Sequence, residues 1–285
     1  MSNKNFFGAA LCLALFAGSF ALTGNALAYL NLAAFLVVTA GLLAAMLLSY
    51  PYDRIKNALL VAWNAYSKPA PSQEETLAEL LDLAVKSRVE GACGLEKASK
   101  DASSAFLRNG LDYLADNYKE NEVRECLRAE MSFFQHRRLQ SARLLQTMAR
   151  IAPAFGVAGS VIGLVGLLMG IHETSALLRH IPVAFISTLY GVLLANLVFS
   201  PMAEAVQAKT EAELLNQKLV MEGLIAIMRE QNPYRLERKL TAFLSPQERQ
   251  GKTEAVRAIT RKYIAKKRKE QTEKDQALRE SPMEA

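Results

Sequence analysis

The chain carries long charge-free zones separated by richly charged ones. No Asp, Glu, Lys or Arg occurs from 5 to 52, from 151 to 171, or from 181 to 203. A helix rises ~1.5 Å per residue, so about 20 apolar residues cross a hydrocarbon core of about 30 Å. The runs 151–171 and 181–203 meet that length and are parted by a polar break at 172–180. The zone 5–52 is too long for one span. Thr23-Gly24-Asn25 supplies a turn signal inside it, leaving apolar runs at 6–22 and 27–48. The pattern predicts an all-α membrane protein with four transmembrane helices.

The charged zones also read as helices. Ile55, Leu59, Leu60 and Trp63 recur at helical spacing, so 53–66 is an amphipathic helix. It lies near the bilayer surface or packs beneath the spans. A linker follows at 68–72. Ser72, with Glu75 three residues on, is a capping-box start for a helix whose apolar face is Leu77, Leu80, Leu81, Ala84 and Val85. Phe106, Leu107, Leu111, Leu114 and Tyr118 form one further stripe; Cys126, Leu127, Met131 and Phe134 form another. The tract 137–148 runs unbroken into the third span. The fourth span continues as a helix through Glu222, and Asn232-Pro233 reads as a stop. The chain then divides into a hairpin of spans (1–50), a large polar helical domain (51–150), a second pair of spans (151–203) and a helix with a basic tail (204–285).

Charge sets the orientation. The formal net charge is +6. Arg54, Lys56, Arg143 and Arg150 flank the spans on the side of the large polar domain, whereas the short hairpin at 23–25 has no charge. Basic residues close to spans stay in the cytoplasm. Both termini and the large domain are therefore expected in the cytoplasm, with the chain multi-pass. A competing reading takes Lys4, the apolar run and Ala26-Leu27-Ala28 as a cleavable secretory signal. The weak basic region, the long apolar run and the second span immediately after it count against cleavage. Cys12, Cys93 and Cys126 lack metal or redox spacing, and His136 has no partner at ligand distance. The basic cluster at 261–269 has only Tyr263 as an aromatic, which disfavours a nucleic-acid platform and leaves a solvated or membrane-skimming tail.

The second pair of spans holds the unusual chemistry. Gly156, Gly159, Gly163, Gly166 and Gly170 recur every three or four residues, a face for close helix contact, and Gly191 stands in the opposite span. Ser160, Ser187 and Thr188 place hydroxyls inside the apolar runs. Such hydroxyls can simply bond the carbonyl one turn back. Intramembrane proton relays use ionisable side chains. No predicted span has Asp, Glu, His, Lys or Arg, so a conducting assembly would need its carboxylate from another subunit. There is neither a Walker A sequence nor a Rossmann glycine fingerprint, and no enzyme activity or cofactor is expected.

The blocks Pro153-Ala154-Phe155-Gly156 and Ser187-Thr188-Leu189-Tyr190-Gly191, with Pro201 closing the fourth span, resemble the MotA/TolQ/ExbB channel superfamily. Arg88-Val89-Glu90-Gly91 followed by Leu95-Glu96, and the stretch 240–249, resemble its MotA (PomA-like) flagellar stator branch. The resemblance implies an ion path for protons, possibly sodium, beside Ser160, Ser187 and Thr188. Ser160 departs from the threonine commoner there. It further implies hinge or coupling roles for Pro153 and Pro201, helix packing at Gly156, Gly159, Gly163 and Gly191, and rotor contact by Arg88, Glu90 and Glu96. The implied partners are a single-span MotB-type subunit with an intramembrane Asp, a FliG-like rotor switch protein, membrane lipid, and further copies of the chain in a pentamer. Two rivals stay open: a TolQ/ExbB-like energiser of a periplasmic or outer-membrane system, and a non-conducting membrane scaffold. An ordinary solvated face, with Glu96 paired to Lys100, is the alternative for the rotor residues.

Overall fold

The computed structural model describes residues 3–22, 29–67, 72–169, 174–229 and 233–243. All its regular elements among these are helical: α1 (Asn3–Ala21), α2 (Leu32–Ser49), α3 (Tyr52–Ser67), α4 (Gln73–Lys100), α5 (Ala105–Ala115), α6 (Glu120–Met169), α7 (Thr174–Leu193), a π turn (Leu194–Phe199), α8 (Ser200–Met228), α9 (Pro233–Leu240) and a closing 3₁₀ turn (Thr241–Phe243). The helices group into two compact units, each assembled from two separated stretches. One comprises Met1–Pro69 and His136–Thr210, the other Ala70–Gln135 and Glu211–Ala285. Leu219, Leu224 and Ile225 of α8 belong to the core of the second unit.

Among the described residues three helices carry a stretch long and apolar enough to cross a membrane: Leu32–Ser49, Glu120–Met169 and His180–Met228. The strongly apolar part of α1 is shorter, at Ala10–Phe20. The second span starts at Leu32, five residues later than the hydrophobic run, because Asn31 caps it. The Asn31 side chain accepts from the Ala34 amide at 3.0 Å. A polar side chain that satisfies an orphan helix amide marks the start better than hydropathy does. Ala34, Val38, Leu42 and Met46 form the buried stripe of α2. Leu42 and Met46 join Ile55, Ala58 and Ala62 of α3, Leu145 and Met148 of α6, and Phe199, Ala203 and Val206 in one core. Lys209 Nζ donates to the Asn64 carbonyl at 2.8 Å, placing a cation over the carbonyl end of α3.

The second unit is a helical cluster. Ser72 caps α4 by accepting from the Glu75 amide at 3.4 Å. Residues 87–96 lie inside α4. Gly91 and Gly94 do not interrupt it; a helical glycine costs only about 1 kcal/mol, and Gly94 is buried. Between α5 and α6 the chain reverses at Asn117, whose φ is +58°. The Tyr118 amide donates to the Tyr113 carbonyl at 3.1 Å and the Asn117 amide to Leu114 at 3.2 Å, a Schellman close for α5. Leu77, Leu80 and Leu81 pack with Leu107 and Leu111, Val123 and Leu127, Leu219, Leu224 and Ile225, and Leu236 and Leu240. Pro233, read as a stop, opens α9, where its missing N–H costs nothing.

Five charges clasp the edge of this core. Arg229 grips Glu120 with two parallel bonds, Nε to Oε2 at 2.7 Å and a terminal nitrogen to Oε1 at 2.6 Å. Arg124 lies between Glu120 at 3.2 Å and Glu222 at 3.3 Å, and Lys239 meets Glu222 at 2.6 Å. The Arg229 bond holds the Glu120 carboxyl down at about 2, with Arg124 assisting. Burial pushes Glu222 up, but Lys239 and Arg124 outweigh it and its pKa falls.

Candidate functional site

The small-residue face of α6 lies against α7 at backbone distance. A Cβ on Gly156 would stand 2.9 Å from the Ser187 carbonyl oxygen and 3.1 Å from Thr188 Cα. One on Gly163 would stand 2.6 Å from the Ala184 nitrogen, and one on Gly159 would stand 2.6 Å from Ser187 Cβ. From the α7 side, a Cβ on Gly191 would lie 2.8 Å from the Ala152 oxygen and 3.1 Å from Pro153 Cα. The opposing atoms at Gly156, Gly163 and Gly191 include main chain, so no side-chain rotation could admit even a methyl group. This is the packing mode of helices in lipid, where contact between backbones replaces hydrophobic drive. Gly170 lies outside the described residues. Gly166 meets the His180 ring, whose Nδ1 would stand 2.6 Å from an added Cβ.

That last contact corrects the sequence reading of 172–180 as a polar break. Helix α7 already begins at Thr174, so His180 belongs to it. Its start escapes a charge-based reading because a helix may begin in polar residues.

The three hydroxyls part into two environments. Ser160 donates to the Gly156 carbonyl at 3.2 Å, and its Oγ lies 2.5 Å from Thr188 Oγ1. Both residues are half-buried. Ser187 is completely buried under Gly159 and donates to the Val183 carbonyl. Neighbouring residues on a helix point about 100° apart, so Ser187 and Thr188 cannot share one face. A pair of hydroxyls offers both donors and lone pairs. It can pass a proton or lend oxygen ligands to a cation, but it cannot carry the charge itself.

Pro153 stands in the interior of the 50-residue α6 rather than at a helix start. It therefore withholds a bond from the carbonyl one turn back instead of occupying a harmless first position. Pro201 follows the π turn, in which the Ser200 amide reaches back five residues to the Ala195 carbonyl. A proline there could not make the regular bond to residue 197, and the wider turn relieves its ring. Pro182, which the sequence analysis passed over, lies inside α7 as well. Glu96 is exposed on α4. Arg88 and Glu90 lie in the same helix, with their side chains outside the described set.

Tyr190 was quoted only as part of a motif, yet it pins α7 to the start of α2. Its hydroxyl donates to the Tyr29 carbonyl at 2.5 Å and accepts from the Asn31 amide at 3.1 Å, and its ring stacks edge-on to Phe35. A tyrosine in an apolar run was the available signal, since a buried phenol needs a partner.

This site and fold are those of an ion-channel subunit class. The family model for the MotA/TolQ/ExbB proton channel family matches residues 98–219. The chain is 30% identical over 244 residues to motility protein A of Treponema phagedenis, covering 86% of this chain and 93% of that protein. It is 28% identical over 217 residues to chemotaxis protein PomA of Vibrio alginolyticus, covering 76% and 85%. It superimposes on a chain of the flagellar MotAB stator complex from Bacillus subtilis with a TM-score of 0.77 and 27% identity, covering 87% and 98%. The chain belongs to the MotA/TolQ/ExbB proton channel family.

Proposed function

We propose that this chain is the MotA-type subunit of a flagellar stator, an inner-membrane assembly that turns ion flow into torque. The relatives named motility protein A and PomA, and the likeness to a MotAB stator complex, support that reading. The observation that carries the mechanism is the half-buried Ser160–Thr188 pair between glycine-packed helices whose apolar windows hold no carboxylate. A titratable group must arrive on a neighbouring helix, and a single-span MotB-type partner with an intramembrane Asp supplies it. Ions, protons or sodium, pass along this pair, with Ser187 behind it. Pro153 and Pro201, interior to long helices, flex as the carboxylate changes charge. Arg88, Glu90 and Glu96 on α4 work against a FliG-like rotor protein. Copies of the chain ring the partner as a pentamer, crossing the membrane four times with both termini in the cytoplasm.

The test is motility. A strain lacking this gene should carry filaments yet not swim, and the intact gene should restore swimming while Pro153→Leu, at normal protein level, should not. A strain that swims normally while losing an outer-membrane transport function would instead mark a TolQ/ExbB-like energiser. Full rescue by Pro153→Leu would favour a scaffold that conducts nothing.

A further inference from the structure

The polar side chains of the fourth apolar run fall on one line. Between 181 and 203 they are Ser187, Thr188, Tyr190, Asn196 and Ser200, and Glu204 is the first carboxylate after them. Ser187 is bonded within its own helix turn, and Tyr190 is tied to the start of α2. The rest follow the buried positions 187, 195, 199 and 203 by one residue each: Thr188, Asn196, Ser200 and Glu204. Val192, one residue after the buried Gly191, is the apolar rung among them. These side chains therefore share a face turned about 100° from the core. From Thr188 to Glu204 the line runs about 24 Å at the helical rise.

That face does not suit lipid. Of the exposed residues from 181 to 200, Asn196 alone is polar; Ile181, Phe185, Val192, Leu197 and Val198 are apolar. Asn196 Nδ2 donates to the Val192 carbonyl at 3.0 Å, which leaves its second N–H and its Oδ1 without a partner among the described residues. Hydrocarbon offers such groups no hydrogen bond, so a polar side chain exposed inside a span faces another polar surface or water. Glu204 likewise forms no ion pair among the described residues. It acts on its surroundings through its charge, which together with burial raises the Tyr66 phenol of α3.

We propose that Asn196, Ser200 and Glu204 form the cytoplasmic leg of the ion path, leading from the Ser160–Thr188 pair to water, an assignment that rests on reading that pair as the path of a stator subunit. Glu204 is the acceptor at the mouth. Asn196 and Ser200 offer oxygen lone pairs to a cation, or to the water that relays a proton. A carboxylate at a pore mouth draws cations by charge. A proton taken up by Glu204 passes on to cytoplasmic water, and a sodium ion is released there, so the carboxylate is restored each time. Val192 parts the two polar stretches by one turn.

Inside-out membrane vesicles are prepared from cells carrying the full chain with Cys12, Cys93 and Cys126 replaced by Ser. Single cysteines are then introduced and exposed to a charged, membrane-impermeant methanethiosulfonate. Asn196→Cys, Ser200→Cys and Glu204→Cys should react several-fold faster than Leu197→Cys and Val198→Cys, because the reactive thiolate forms in water and not in lipid. Equal reaction at all five positions, or none at 196, would overturn the path. In cells whose swimming the intact gene restores, Glu204→Gln and Asn196→Leu should each cut speed several-fold, with protein level and partner co-purification unchanged. Glu204→Asp should keep most of the speed. Full speed in Glu204→Gln would overturn the acceptor role. Loss of the co-purified partner in Asn196→Leu would make this face a helix-packing surface and overturn the path as well. Should the gene prove irrelevant to swimming while the three cysteines still react, the stator reading fails and the water-lined leg stands.

Discussion

Gly156 and Gly191 face each other so closely that a Cβ on Gly191 would stand 3.0 Å from Gly156 Cα. The approach lets two main chains share what would otherwise be a layer of side chains. Gly191→Ala should therefore destabilise the chain by about 1–3 kcal/mol, the usual cost of overpacking. The contrast is Gly8→Ala or Gly18→Ala, where nothing lies within 4 Å of the new methyl group. Those changes should be neutral or stabilising by up to ~1 kcal/mol. Thermal melts of the purified chain in detergent would rank them.

Thr188→Val keeps shape and removes one half of the Ser160–Thr188 pair. Ser160 retains its bond to the Gly156 carbonyl, so the fold should hold. Swimming speed or ion flux should fall by one hydrogen bond's worth, about 1 kcal/mol or roughly fivefold in rate. Ser187→Ala, whose hydroxyl bonds only within its own helix turn, should stay within about twofold. Equal loss in both variants would place the path beside both hydroxyls.

Tyr190→Phe deletes the phenol that serves Tyr29 and Asn31. The expected cost is about 1–3 kcal/mol, because the Asn31 amide loses its partner in an apolar setting. Hydrogen exchange should accelerate at the start of α2 and remain unchanged in α4 and α5.

The second unit should respond to acid. Glu120 falls from its ordinary 4.5 to about 2 in the folded chain. A depressed carboxyl stabilises the fold above its unfolded pKa, and that contribution fades as pH drops from about 4.5 through about 2. Glu222 is shifted the same way. Exchange protection of α9 and of the first turn of α6 should weaken over this window in the intact chain. In Glu120→Gln the pH dependence should shrink, with protection already reduced at neutral pH.

Much of this was legible in the residues. The long apolar runs, the cap at Ser72, the amphipathic helix after Pro51 and the glycine face of the third span all follow from spacing, because each rests on local periodicity. What escaped was decided by distant partners. Asn31 caps α2, since a cap is chosen by the geometry of the amides it meets. Ser187 and Thr188 are neighbours in the sequence, but a helix sends neighbours to different faces. The joining of 214–228 to the core built on Leu77 and Leu80 needs knowledge of which elements pack. Charge runs such as Glu120, Glu222 and Arg229 look solvated until the helices carrying them are placed together. The unbroken tract 137–148 showed one long helix leading into the third apolar run, but its start at Glu120, seventeen residues before that tract, was set by packing rather than by periodicity.

The π turn at Leu194–Phe199 works as an inserted letter in the helical register. From Ser187 the next buried positions are 191, 195, 199, 203, 206 and 210. Four consecutive steps of four would drift about 40° each around a regular helix. The wider turn absorbs that drift and keeps Ala203 and Val206 aimed at the core. Deleting one residue between 194 and 199 would re-index every position downstream by about 100°, exchanging buried for exposed faces without breaking the helix. The azimuth at which the long helix leaves the bundle is thus written in one turn, immediately ahead of Pro201.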